Sequence, residues 1–123
     1  MQSPELWFRP GKIPLPVLLS FIESRLLTAT PRLGARNGAH PKGYKPGQEV
    51  LLRVLDEDDV EHLRQNIRID EILIRRLSEL TPNDLRNTLP FHTWEEIQAS
   101  FSQFEGRPVH GHEDVSIITF SYL

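Results

Sequence analysis

The chain has 123 residues, 38% hydrophobic and 25% charged, which is the size and composition of one ordinary globular domain, expected to span residues 1–123. With no cysteine there are no disulfides, no thiolate nucleophiles and no zinc sites built on Cys, and no metal or cofactor is expected. The formal charge of −3 argues against a protein that coats nucleic acid nonspecifically, a mode that needs many phosphate contacts. The charge is nevertheless divided: residues 1–54 hold eight Lys/Arg against three acids, and residues 55–123 hold six against fourteen.

In chain order, "LWFR" is a short aromatic strand in which Trp7 and Phe8 point to opposite sides, so one faces the core and the other is either edge packing or a stacking platform. Leu15, Leu18, Leu19 and Ile22 recur at helical spacing and predict a helix over about Pro14–Arg25, with Pro16 tolerated in its first turn. The run is too short to span a bilayer and is interrupted by proline, so the chain is expected to be soluble and cytoplasmic, without a membrane partner. "LTATPR" is extended, because Thr30 precedes a proline. Residues 33–47 are loop by composition, and Pro46-Gly47 forms a tight turn into the strand "EVLLRVL".

The acidic run Asp56–Glu61 lacks Ca²⁺-loop spacing and reads as a hairpin connection. "NIRIDEILIRRL" is a strand whose apolar parity switches around Asp70-Glu71, the mark of a β-bulge. "SELTPNDLRN" predicts a short helical turn capped by Thr81, with Pro82 first in it. "TWEE" is a capping box, with Thr93 as cap and Glu96 three residues on. Trp94, Ile97, Phe101 and Phe104 follow at helical spacing and are assigned to the core. Gly106 ends that helix. In "VSIITFSYL", Ile118, Phe120 and Tyr122 line one face. About five short strands with helices at the edge make a small closed or half-closed barrel.

Chemistry-bearing residues gather around one loop. Arg32, Arg36, Lys42 and Lys45 lie among Gly34, Gly38 and Gly43, where cations and backbone N–H groups can fold over phosphate; the alternative is a mobile charged loop. Tyr44 is either a base-stacking ring or a core plug. His110 and His112 are spaced as ligands on an extended segment, or as an acid–base pair, or simply as a polar lead into the last strand.

Four stretches taken together, "LWFRPGKIPLPVLLSFIESR", "TATPR", "GYKPGQEVLLRV" and the tail running through "LSELTPNDL", "TWEEI" and "ITFSYL", resemble the ASCH domain of the PUA-like superfamily. That resemblance implies an α+β fold: a PUA-like β-barrel of about five to six short strands, with two flanking helices and a short helical turn. It also implies RNA-related work. The family pattern has a glycine, a lysine two residues on, a threonine or glutamate three further, and an arginine two beyond. On "RLLTATPR" these fall on Arg25, Leu27, Thr30 and Arg32, so the second half matches. In relatives similar to acetylcytidine amidohydrolases, the lysine, the threonine and a glutamate after the "L-x-x-L-T" stretch form the proposed catalytic set. Here Leu27 cannot accept a proton, and Asn87 and Thr88 stand where the acid is expected. Thr30 is left as the sole family-matched catalytic candidate.

The expected function is an RNA- or nucleotide-binding module with a cationic pocket over residues 30–45, lined by Thr30, Arg32, Arg36, Lys42, Tyr44 and Lys45. The alternative is a small hydrolase of a modified nucleoside or of RNA, with Lys45, His40 or the His110/His112 pair as base. A third reading is a protein-interaction domain with an apolar pocket.

Overall fold

Alternating apolar residues organise the sheet of the computed structural model, which describes residues 4–11, 13–37, 40–88 and 91–123. Gly38 of the basic loop falls outside them. Strand β3 (Glu49–Leu55) turns Val50, Leu52 and Val54 inward and Arg53 outward. It pairs in parallel with β1 (Glu5–Phe8) and antiparallel with β4 (Glu61–Arg76). Strand β5 (Asp114–Tyr122) joins β4 to β2 (Ala29–Leu33), completing the order β1-β3-β4-β5-β2. The five strands curl into a half-barrel whose two edges, β1 and β2, do not pair with each other.

The parity switch in β4 is a bulge: its register against β5 shifts between Ile69 and Glu71. One extra residue re-aims the remainder of the strand. Ile67, Ile69 and Ile72 contribute to a core inside the half-barrel, whereas Leu73 and Leu77 contribute to a second core on the opposite side. Strand β5 serves both, Ile118 and Phe120 inside, Val115 and Ile117 outside.

Two boundaries differ from expectation. β4 begins at Glu61, which pairs with Leu55 in the ladder and whose carboxylate accepts from Arg53 and Arg64, so the connection shrinks to Asp56–Val60. There the Asp56 carboxylate accepts from the N–H groups of Asp58 and Val60, a side-chain turn that an acidic run supplies readily. Past Leu77–Glu79, a single 3-10 turn, Thr81 and Asp84 cap each other reciprocally, but residues 82–87 form successive turns and no helix.

Helix α1 (Leu15–Glu23) starts with Pro14 as its cap and packs Leu18 and Ile22 into the inner core. It stops short of Arg25, which has φ of 61°. Helix α2 (Trp94–Glu105) carries the expected capping box, Thr93 Oγ1 accepting from Glu96 N–H and the Glu96 carboxylate accepting from Thr93 N–H. Gly106, at φ 68°, closes it. Among the described residues no helix is long and apolar enough to cross a membrane.

Candidate functional site at the seam of the half-barrel

Where β1 and β2 fail to pair, a cavity of about 1280 Å³ opens, larger than the roughly 300–1,000 Å³ of ordinary ligand pockets. β1 supplies Leu6, Trp7 and Phe8, followed by Arg9, the neighbouring strands add Arg53 and Arg64 at the border, and β2 supplies Thr30 and Arg32. The loop after β2 supplies Arg36, Lys42 and Tyr44, and the last turns of α2 supply Phe101, Phe104 and Glu105.

Alternation puts Thr30 and Arg32 on the same side of β2, facing inward, with Ala29 and Leu33 turned to the outer core. Arg32 reaches across the seam until its guanidinium carbon lies 4.9 Å from the centre of the Phe8 ring. Its Nε is shielded from solvent, and among the described residues no group accepts its hydrogen. Burial favours the uncharged form, and the Arg32 pKa falls from its ordinary 12.5 to about 10. Among the described residues no carboxylate lies within ion-pair distance of Arg32 or Arg36. A buried guanidinium with spare donors and no counter-charge is a poor structural choice and a good anion site.

The basic loop is a built structure. Ser116, buried on β5, accepts the Arg36 N–H at 2.8 Å and donates to the Gly34 carbonyl at 2.7 Å. Arg36 Nε donates to Leu33 O, and its carbonyl accepts from Tyr44 N–H. Gly43 passes so close to the Asn37 carbonyl that a Cβ would lie 1.7 Å from its oxygen, so only glycine fits. Burial lowers the Arg36 pKa, against partial support from Tyr44 and Glu105. Tyr44 is 6% exposed. It belongs to the inner core, and its hydroxyl donates to the Glu5 carbonyl at 2.5 Å, a second bridge across the seam. Burial raises its pKa. Of the two readings of Tyr44, its position is that of a core plug whose edge touches the cavity.

Five of the six anticipated residues, Thr30, Arg32, Arg36, Lys42 and Tyr44, therefore line one cavity. Lys45 does not: it sits in the exposed turn where Lys45 N–H donates to Gln48 Oε1 and Gln48 N–H to Lys45 O. His40 is also absent from the lining; its Nδ1 accepts from Lys42 N–H. His110 and His112 stack on each other at 5.5 Å ahead of β5 and away from the lining residues, with Glu113 holding His110 N–H and Arg107. Thr88 is buried with its hydroxyl on Leu85 O, and Asn87 is exposed. Leu27 forms part of both the inner core and the cavity wall.

Three contributors were not anticipated as site residues. Ser116 looked like one more strand serine. Phe8 is revealed as the inward member of the Trp7-Phe8 pair. Phe104, expected in the core, is 74% exposed at the cavity mouth, because α2 runs one turn past the edge of the outer core.

No family model and no curated protein matches the chain by sequence. Solved structures do match by shape. The crystal structure of protein EF3133 from Enterococcus faecalis, of family-model DUF984, superposes with a TM-score of 0.68 at 17% identity, over 100% of this chain and 82% of that one. The ASCH domain from Lactobacillus crispatus superposes with a TM-score of 0.60 at 12% identity, over 87% of this chain and 70% of that one. The chain thus shares the α+β fold of these structures, an ASCH domain among them. Arg25, where the family pattern has glycine, sits in the left-handed region that glycine adopts without strain.

Proposed function

We propose that this protein is an RNA- or nucleotide-binding ASCH-type domain and that the seam cavity is its binding site. The observation that carries the reading is Arg32: a desolvated cation with an unaccepted N–H, aimed into a cavity flanked by Arg36, Lys42 and aromatic rings. Phosphate oxygens supply the missing acceptor and counter-charge together. Rings beside them suit a base, the combination that single-stranded and modified nucleotides present.

The hydrolase alternative has less support. Thr30 reaches the cavity, but Leu27 occupies the family lysine's position as an apolar wall residue, and none of the anticipated bases Lys45, His40, His110 and His112 lines it. The test is fluorescence anisotropy with short labelled single-stranded RNA, together with a turnover assay on acetylated cytidine. Binding that weakens from about 50 to 200 mM salt and is lost in Arg32→Ala, without turnover, supports the binding module. Affinity indifferent to salt removes phosphate recognition, and turnover lost in Thr30→Ala favours the hydrolase.

A further inference from the structure

An exposed phenylalanine at the end of a helix is common and carries nothing alone. Phe104 differs in what it overlooks. It stands at the mouth of the cavity beside Glu105, while the cationic Arg32 lies deeper, its N–H unaccepted. The Arg32 face is already covered by Phe8, leaving edge donors for a ligand. The carboxylate at the mouth repels an anion and the cation inside attracts it, so a bound molecule rests with its anionic end beside Arg32 and its other end toward the mouth. Its other end then lies against an aromatic ring that makes no stacked pair with another ring among the described residues.

We propose that Phe104 is the specificity-determining residue of the site, stacking the base of a nucleotide whose phosphate is held inside by Arg32. The inference rests on the seam cavity being the nucleotide site. It adds an orientation, phosphate inward and base at the mouth, and a requirement: an anion without a planar base is held only by the cationic half.

The experiment measures binding of short labelled RNA, of uridine monophosphate and of inorganic pyrophosphate to wild type, Phe104→Ala, Phe104→Trp and Arg32→Ala. Because Phe104 is exposed, its replacement leaves the core intact. Phe104→Ala is expected to weaken RNA and uridine monophosphate about tenfold while pyrophosphate changes less than about twofold. Phe104→Trp retains nucleotide binding, and the nucleotide, but not pyrophosphate, quenches more indole fluorescence in it than in wild type, whose Trp7 also borders the cavity. Nucleotide affinity unchanged in Phe104→Ala but lost in Arg32→Ala overturns the stacking role and leaves the cavity as the site. Equal loss of pyrophosphate in Phe104→Ala assigns the ring a structural role and also overturns it. Failure of wild type to bind any of the three overturns the site and this inference with it.

Discussion

The two sides of strand β1 carry the same pair of residue types in opposite circumstances. Inside, Arg32 covers Phe8 at 4.9 Å; outside, Arg9 and Arg53 cover Trp7 at 5.6 and 5.5 Å. The outer arginines are saturated with acid. Glu5 accepts from both Trp7 and Arg53, Glu61 accepts from Arg53 and Arg64, and Asp59 pairs with Arg9. The Arg53 pKa is accordingly raised, chiefly by its hydrogen bond to Glu61, while that of Arg32 is lowered by burial without a counter-charge. A cluster of cations therefore does not mark a site; a cation whose protein partners are missing does. By that criterion the Arg32 wall is the candidate binding face; Trp7, Arg9 and Arg53 border the same cavity, but the charges of the two arginines are already met by Glu5, Glu61 and Asp59.

The largest effect that separates the two faces is expected at Arg32. Arg32→Ala should lower RNA affinity about a hundredfold, in line with losing a charged pair held away from water. The apo protein should respond in the opposite sense. Arg32→Met removes a buried charge without a counter-ion and should raise the unfolding free energy by about 1 kcal/mol, read from urea titrations. Loss of both stability and binding would instead make Arg32 a structural strut.

Ser116→Ala comes next. It leaves the Gly34 carbonyl and the Arg36 N–H without their shared partner, which should cost about 1–3 kcal/mol of stability. RNA affinity should fall severalfold as the loop loosens, and nuclear magnetic resonance of the Arg36 and Tyr44 amides would locate the change. At the cavity border, Arg53→Ala should leave RNA affinity within about twofold, since its donors are already taken by Glu5 and Glu61.

The smallest effect is in pH. Glu5 and Glu61 are held below their ordinary 4.5, Glu5 chiefly by its hydrogen bond to Trp7 and Glu61 chiefly by that to Arg53. A depressed carboxylate stabilises the fold above 4.5, and that contribution is lost as pH falls through the lowered values. Wild type should therefore lose thermal stability below pH 4.5 more steeply than Glu61→Gln, with the two curves parallel near neutrality.

Much of this architecture is legible in the sequence because it is local. The capping box at Thr93, the bulge signalled by the Ile69–Ile72 parity switch and the shared inward parity of Thr30 and Arg32 all follow from spacings of a few residues. The hidden features depend on distant partners. Arg53 and Arg32 read alike until Glu5, 48 residues before Arg53, proves to hold one, while among the described residues no group accepts from Nε of the other. Ser116 is 80 residues from Arg36. Phe104 continues the spacing of Ile97 and Phe101, and only the extent of the outer core decides that its ring lies in solvent. Tyr44, in a polar loop, reads equally as a stacking ring or a core plug, and only its partners across the seam decide for the plug.

The central claim, that one unpartnered buried arginine defines the site, is tested most directly by the salt dependence of RNA binding for wild type, Arg32→Met and Arg53→Met at neutral pH. Arg53→Met is expected to overlay wild type, while Arg32→Met binds far more weakly with a salt slope shallower by about one charge. Equal losses in the two variants, or a loss confined to Arg53→Met, would contradict the claim and move the binding surface to the outer face.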